Sequence, residues 1–111
     1  MFKVSCIQLC STDCDQNNLK RTTKLIKKAI QQKTDFIITP EVSSKFSLDK
    51  KKLLSIATSM NKDRYLKGIK VLAKKYKRWI LVGSIIVKIK NKLVNRSVLI
   101  NSGGKIKTYY D

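Results

Sequence analysis

The hydrophobic pattern of the first third of the chain predicts a strand, a helix and a second strand. Residues 2–9 alternate, with Val4 and Cys6 on one side and Ser5 and Ile7 on the other, which is typical of a β-strand. Residues 17–32 then follow a helical period, and the apolar positions that share one face are Leu19, Thr22, Thr23, Ile26, Ala29 and Ile30. A short run of β-branched and aromatic residues, 36–39, predicts a buried second strand.

The remaining two thirds predict two helices followed by three strands. The helices cover 48–59, with Ser47 as the candidate cap, and 63–76; the strands cover 79–87, 93–101 and 105–110, with turns at Asn91-Lys92 and at 102–104. The order β-α-β-α-α-β-β-β predicts an α/β fold in which a mixed sheet carries its helices on one face. The second and third strands lack polar alternation, so we expect both of their sides to be buried. Since the helices fill one layer only, something outside residues 1–111 should cover the second face.

The charge is strongly positive but carries little information about function. The net charge of +18 comes from 21 Lys and 4 Arg against 7 acidic residues. A specific nucleic-acid site usually concentrates its charge and uses Arg, whereas here Lys is scattered. Lys, Ile and Asn are residues that an AT-rich coding sequence favours, so we interpret the charge mainly as compositional bias. Weak, salt-sensitive binding to polyanions follows from the charge in any case, and a small basic nucleic-acid-binding module stays as an alternative.

The cysteine content argues against a metal site and for a reducing compartment. The chain has three cysteines, Cys6, Cys10 and Cys14, and no His, so we do not expect a tetrahedral zinc site. The odd number of cysteines favours free thiols, and we expect no cofactor. We expect Cys6 to be a small core residue of the first strand and the other two to be loop thiols.

A strand that begins at residue 2 leaves no room for a leader peptide, and no apolar run approaches the roughly 18 residues that span a bilayer. The sequence therefore predicts a soluble, cytoplasmic protein without a membrane partner.

The residues that end the second strand are the main candidate for chemistry. Pro40 cannot donate to a sheet ladder, so the strand stops there and Glu41 lies directly beyond a buried strand end. An acid in a confined place is costly unless it has a role. Glu41 is thus either a solvated loop residue or a general base at a strand terminus.

Several segments, in order along the chain, resemble the N-terminal portion of the nitrilase superfamily of carbon-nitrogen hydrolases. Val4–Leu9 resembles the opening strand, Asn18-Leu19 the start of the first helix, and Thr34–Glu41 the segment that ends in Pro-Glu. The others are Ile80–Ser84, Asn95–Asn101, Gly103–Ile106 and Tyr109–Asp111. Lys33 departs from the pattern, because the family usually has Gly where the first helix ends, so we expect strain or rebuilding there.

The resemblance implies an αββα sandwich and a Glu-Lys-Cys triad that hydrolyses a carbon-nitrogen bond through a thioester. Glu41 matches the glutamate, which acts as general base. The family's lysine lies immediately after the position of Asp111, and the nucleophilic cysteine is further downstream, so none of the three cysteines here can take that role. We expect residues 1–111 to form a partial carbon-nitrogen hydrolase domain that is inactive by itself.

The resemblance also implies a substrate class and partners. It favours a small amide, as in ω-amidases or amidases of deaminated glutathione, although no substrate-binding residue is identified. Expected partners are a second copy of the chain or a C-terminal half that supplies Lys and Cys. A further alternative is a non-catalytic partner of a full-length homologue, which would dock through its open sheet face.

Overall fold

A five-stranded mixed sheet with the strand order β1-β2-β3-β4-β5 forms the centre of the computed structural model, which describes all 111 residues. The strands are β1 (Val4–Cys6), β2 (Phe36–Thr39), β3 (Trp79–Ile89), β4 (Lys92–Ile100) and β5 (Ile106–Tyr110). The first three are parallel, and the last two join as antiparallel hairpins. The predicted element order is therefore confirmed. Strand β1 is shorter than predicted because it pairs only with the short strand β2.

Three helices accompany the sheet: α1 (Asp15–Gln31), α2 (Lys50–Ile56) and α3 (Arg64–Tyr76). Asp63 caps α3, because its side chain accepts a hydrogen bond from the backbone N–H of Leu66 at 2.8 Å. Helix α2 is shorter than predicted, and its cap is Asp49, which accepts from the N–H groups of Lys51 and Lys52. The prediction of Ser47 as the cap is wrong, since its hydroxyl accepts instead from the N–H of Asp49.

The core lies between one face of the sheet and helices α1 and α3. Alternate residues of the three central strands meet apolar residues from the predicted helical stripes, and each fully buried aliphatic side chain contributes about 1.5–3 kcal/mol. The largest buried members are Tyr65, Ile26, Ile37, Leu66, Ile69, Ile80, Ile85 and Ile100. Asn18 and Thr22 extend the buried face of α1 toward its N-terminal end.

The opposite face of the sheet has no covering layer. Phe36 and Ile38 on β2 are half-buried, whereas Ile37 and Thr39 are buried. The helices supply one layer only, as predicted, so the outward sides of β2 and β3 are not covered within residues 1–111, and their cover by a part outside this chain stays a prediction. The assignment of Cys6 to the core is wrong, because Cys6 lies on the open side of β1 and is exposed.

Lys33 and Lys90 lie in turns and adopt the left-handed backbone conformation. Lys33 follows α1 with φ of 60°, as expected for a position where the family has Gly. The β3–β4 hairpin turns at Lys90 and Asn91, one residue earlier than predicted, since Ile89 pairs with Lys92. Lys90 has φ of 55°, so a Lys takes a position that Gly or Asn usually fills.

Candidate active site

Glu41 lies where the chain leaves the sheet at the end of β2. Thr39 is the last residue of the strand, Pro40 follows it, and Glu41 is exposed. The side chain of Glu41 takes part in none of the ion pairs of the structure. The strand end predicted from Pro40 is confirmed, but the confinement expected for Glu41 is not found within these 111 residues. Glu41 is available to a molecule that approaches this edge of the sheet.

Ser84 of β3 fixes the backbone on both sides of Glu41. Its N–H donates to the carbonyl of Pro40 at 3.4 Å, and its hydroxyl accepts from the N–H of Val42 at 2.8 Å. Its carbonyl accepts from the N–H of Ser43 at 2.9 Å and from the Ser43 hydroxyl at 3.2 Å. Ser84 is 2% exposed, so these bonds are made away from water.

A β-bulge brings Ser84 into this position. The register of β3 against β4 shifts between Val82 and Ile85, which leaves Gly83 and Ser84 in the irregular segment. A Cβ on Gly83 would lie 2.2 Å from the carbonyl oxygen of Thr39, so only Gly permits the close approach of the two backbones. The bulge was not predicted, although the Gly-Ser break in an otherwise apolar run is a sequence signal that could have indicated it.

Val42 adopts a backbone conformation that is rare for its residue type. Its φ is 51°, in the left-handed region, where a β-branched residue is an outlier. Such a conformation costs on the order of 1–3 kcal/mol and persists only where the surrounding contacts enforce it. The residue that follows Glu41 is therefore held in a strained geometry, which no sequence pattern indicated.

The far end of the loop is attached to helix α1 and to the segment before it. The side-chain amide of Asn18 donates to the carbonyls of Ser44 at 3.0 Å and Thr12 at 2.8 Å. The N–H of Phe46 donates to the carbonyl of Thr12 at 2.8 Å. The buried amide of Asn18 thus connects the start of α1 to the loop that carries Glu41.

Lys45 is buried beneath the loop between two aspartates. Its Nζ lies 3.6 Å from Oδ2 of Asp63 and 3.9 Å from Oδ2 of Asp15, and its side chain is 3% exposed. The carbonyl of Ile56 accepts from the same Nζ at 3.5 Å. Asp15 is also bound by Arg64 through two nitrogens, at 2.9 and 3.2 Å. The buried side chains of Lys45, Asp15 and Asp63 thus join the loop to the N-terminal ends of α1 and α3, and Arg64 binds Asp15 from the exposed side.

Burial raises the pKa of Asp63 above its ordinary value. The hydrogen bond from the Leu66 N–H and the charge of Lys45 oppose this change, while the charge of Asp15 adds to it. Oδ2 of Asp63 is fully buried and has no hydrogen-bond partner. Burial therefore outweighs the compensation that one ammonium group at 3.6 Å provides.

Tyr65 supports the loop from the side of helix α3. Burial raises the pKa of its phenol, and hydrogen bonds with the hydroxyls of Ser43, Thr22 and Thr39 oppose this effect. The phenol oxygen lies 2.9 Å from the hydroxyl oxygen of Thr22. A neutral tyrosine, fully buried, thus fills the space below the end of β2.

Arg96 on β4 binds the carboxylate of Asp111 with two nitrogens. Nε lies 2.5 Å from Oδ1 and Nη2 lies 2.8 Å from Oδ2, and the guanidinium stacks 4.1 Å from the centre of the Tyr109 ring. Arg96 lowers the pKa of Asp111, mainly through the hydrogen bonds. The end of β5 is thereby fixed to β4.

The ends of β2 and β5 lie at the same edge of the sheet. The row of paired residues that contains Thr39 continues through Val82 and Val98 to Tyr109. Because β5 runs in the same direction as β2, Glu41 and Asp111 both follow this row on the same side. Three strand spacings separate the two strands, which is roughly 14 Å.

The three cysteines do not form part of this arrangement. Cys6 and Cys10 are exposed, Cys14 is half-buried, and all three are free thiols. The structure contains no group of three or more His, Cys, Asp or Glu side chains that could hold a metal ion. None of its helices is long and apolar enough to cross a membrane.

A cleft of about 480 Å³ lies along the free edge of β1, away from Glu41. Its walls are residues 4–8 and four residues from the C-terminal half of α1 and just beyond, Leu25, Lys28, Ala29 and Gln32. The cleft follows unpaired backbone of an edge strand rather than a set of convergent polar groups, so we do not assign it to the chemistry of Glu41.

The sequence profile described as carbon-nitrogen hydrolase matches residues 3–111. This chain belongs to the carbon-nitrogen hydrolase family. Among solved structures, the C. elegans NitFhit protein superposes with a TM-score of 0.86 at 22% identity, covering 99% of this chain and 28% of that one. A carbon-nitrogen hydrolase from Helicobacter pylori G27 gives 0.82 at 17% identity, covering 98% of this chain and 38% of that one.

An amidase from Nesterenkonia sp. AN1, solved as a double mutant in complex with acrylamide, gives a TM-score of 0.81 at 14% identity and covers 98% of this chain and 42% of that one. A search of curated protein sequences found no match. The TM-scores show that the fold is shared although the sequence identities are low. This carbon-nitrogen hydrolase chain spans less than half the length of the three structures, so it holds only part of their fold. The predicted family and the predicted partial nitrilase-like α/β fold are thereby confirmed.

Proposed function

We propose that this chain is the glutamate-bearing part of a hydrolase that cleaves the carbon-nitrogen bond of a small amide, with Glu41 as the general base. The observation that carries the proposal is the exposed Glu41 at the end of β2, in a backbone that Ser84 fixes on both sides. The chain belongs to the carbon-nitrogen hydrolase family, and Glu41 matches the position of the family's catalytic glutamate. A base on a fixed strand end meets the geometric requirement for proton transfer.

In the proposed reaction, Glu41 moves protons between sulfur, nitrogen and water. Its carboxylate accepts the thiol proton of the family's cysteine, and the sulfur forms a bond to the amide carbon as the carbonyl becomes an oxyanion beside the family's lysine. Glu41 then gives the proton to the nitrogen, the carbon-nitrogen bond breaks, and ammonia or an amine leaves. Water then attacks the thioester carbon while Glu41 accepts its proton; the carbon-sulfur bond breaks, the carboxylic acid leaves, and Glu41 returns the proton to the cysteine sulfur.

The position of Asp111 supports the proposed place of the lysine. The resemblance puts this lysine directly after Asp111, which Arg96 holds at the same sheet edge as Glu41. Two side chains that extend from β2 and β5 toward each other can both reach a small substrate across roughly 14 Å. The domain of residues 1–111 thus ends, in this proposal, one residue before the second member of the triad.

The partner that completes the site is proposed to be a C-terminal half of the same kind of enzyme. The open face of β2 and β3 is apolar, and the αββα sandwich of the family places a second sheet there. The substrate is proposed to be a small amide of the ω-amide or deaminated-glutathione type. We expect such a protein to act in the cytoplasm and to need no cofactor.

An ammonia-release assay tests this function. The DNA that follows the Asp111 codon should encode Lys-Ile-His in one of its frames and a cysteine some tens of codons later. We expect the 111-residue chain alone to release no ammonia from small ω-amides, and its mixture with the downstream polypeptide to release it. Turnover by the chain alone, or a correctly folded mixture without turnover, would contradict the proposal.

A second candidate function is that of a small basic module that binds nucleic acid through its helical layer. Helices α1 and α3 carry five Lys or Arg each, and their only acidic residue, Asp15, is buried. This distribution favours weak binding that modest salt abolishes. A heparin column and binding measurements with nucleic acids of different sequence distinguish the two: elution at low salt and equal binding of all sequences fit the hydrolase proposal, whereas sequence preference would favour a binding module.

A third candidate is a non-catalytic partner that docks on a full-length homologue through the open sheet face. The half-buried apolar residues on the open face of β2 favour contact with another protein surface. Size-exclusion chromatography of the chain with such a homologue would detect the complex, and activity measured in the same fractions separates a regulatory partner from a catalytic half.

A further inference from the structure

Ser84, which the family assignment does not identify, makes hydrogen bonds to the backbone both before and after Glu41. Ser84 bonds to Pro40, Val42 and Ser43 but not to Glu41 itself. The bonds therefore fix the chain immediately before and after Glu41 and leave its side chain free. Ser84 can do this because the bulge at Gly83-Ser84 turns its N–H, hydroxyl and carbonyl toward the loop.

The left-handed backbone of Val42 explains why the hydroxyl of Ser84 matters. A β-branched residue in this region relaxes toward an extended conformation unless a contact opposes the change. The bond from the Val42 N–H to the Ser84 hydroxyl, at 2.8 Å, is the contact made at Val42 itself. If Val42 relaxed, the direction in which the chain leaves β2, and with it the position of Glu41, would change.

We propose that Ser84 is a positioning residue for Glu41, acting by holding Val42 in its strained left-handed conformation. This proposal rests on the proposed function of Glu41 for its catalytic meaning. Ser84 touches no reacting atom in this account; its effect passes through the backbone of residues 40–43. In an assembled enzyme, its loss should lower kcat about tenfold and leave KM nearly unchanged, since the energy of one buried hydrogen bond is involved.

Nuclear magnetic resonance on the 111-residue chain tests the positioning without any need for activity. In the wild type, Val42 should give the strong intraresidue cross-peak between its amide and α protons that a positive φ produces. In Ser84→Ala, we expect this cross-peak to weaken and the exchange rate of the Val42 amide to rise about tenfold. The backbone order parameter of Glu41 should fall from the rigid range near 0.85 toward values below about 0.6.

Ser97→Ala is the matched control. The Ser97 hydroxyl donates to the carbonyl of Gly83 at 2.6 Å, so the control removes a comparable bond from the same part of the sheet without touching the loop. We expect Val42 and Glu41 to keep their wild-type spectra in this variant. Ser84→Thr, which keeps the hydroxyl, should restore the wild-type signals.

The outcomes separate this inference from the proposed function. A weak amide-to-α cross-peak for Val42 in the wild type, or equal changes in Ser84→Ala and Ser97→Ala, would overturn the positioning role even if the assembled enzyme is active. Should Ser84→Ala fail to fold, Val42→Gly with and without Ser84→Ala replaces it, and the exchange of the residue 42 amide should again differ about tenfold. Absence of hydrolase activity in a correctly folded mixture with the downstream polypeptide would refute the proposed function and leave these spectra unaffected.

Discussion

Lys45 and Asp63 form a buried ion pair in which the charged atoms lie 3.6 Å apart, with side chains that are 3% and 0% exposed. The pair connects the loop that carries Glu41 to the cap of helix α3. Removal of one partner from such a pair leaves an uncompensated buried charge, which typically costs about 3–5 kcal/mol.

Replacement of Lys45 should therefore destabilise the chain strongly. We expect Lys45→Met to lower the free energy of unfolding by about 3 kcal/mol. This value is at the low end of the range because Asp15 remains paired with Arg64 in the variant. Urea unfolding followed by circular dichroism measures this change. Lys74→Met, at an exposed position of α3, is the control and should stay within about 0.5 kcal/mol. A Lys45→Met change as small as that of the control would show that the cluster contributes little.

The raised pKa of Asp63 gives stability a specific pH dependence. Between the ordinary aspartate pKa, about 3.9, and the raised folded value, the native state binds more protons than the unfolded state. The contribution of Asp63 to stability is thus present at acid pH and is lost as the pH rises through the folded pKa. Asp63→Asn, which keeps an oxygen for the Leu66 N–H, should remove this loss.

Urea unfolding at several pH values between 4 and 7 measures the effect. The stability of the wild type relative to Asp63→Asn should decrease as the pH rises across this window. If the stability difference between the wild type and Asp63→Asn stays constant or increases with pH, Lys45 and the Leu66 N–H together overcome the effect of burial. The pKa of Asp63 would then not be raised.

The Arg96–Asp111 pair should make stability depend on pH in the opposite direction to Asp63. Arg96 lowers the pKa of Asp111, so between the folded pKa and about 3.9 the native state binds fewer protons than the unfolded state. Its stabilisation is present above about pH 4 and is lost as the pH falls through the folded pKa. We expect Asp111→Asn to differ from the wild type near neutral pH and to converge with it in strong acid. In an Arg96→Gln background the same substitution should have no effect at any pH.

Gly83 should tolerate no side chain. An added Cβ would lie 2.2 Å from the carbonyl oxygen of Thr39 and within 3 Å of the Pro40 backbone, so Gly83→Ala must push the end of β2 away from β3. We expect a loss of about 2–3 kcal/mol in unfolding free energy. Gly103→Ala, where the nearest atom is 3.3 Å away and belongs to a side chain, is the control. Equal melting temperatures for the two variants would contradict the close approach.

Much of the fold could be predicted because local patterns and the sheet agree. Pro40 ended β2 as its missing N–H requires, and the helical stripes of α1 and α3 matched their buried faces. The error in burial has one physical source. Cys6, like the outward residues of β2, was assigned to a core that needs a second layer, and burial depends on that layer rather than on the residue type.

The supports of the site were harder to predict than Glu41 itself. Lys45 lies in a polar loop, and no local pattern separates a buried lysine from the many solvated ones. Asn18 appeared in a segment that resembles the family, but its bonds to Thr12 and Ser44 join parts of the chain that are distant in sequence. Val42 is disfavoured by its own residue type at a positive φ, so propensity predicts against the observed conformation.

The rate of ammonia release by the assembled enzyme with Glu41→Gln tests the central claim most directly. Glu41→Gln keeps the size of the side chain and removes its ability to accept a proton, so we expect the rate to fall by about 10²–10⁴-fold while the thermal unfolding midpoint stays unchanged. Asp35→Asn, which alters another exposed acid next to β2, should keep the full rate. Wild-type activity in Glu41→Gln would contradict the assignment of Glu41 as the general base.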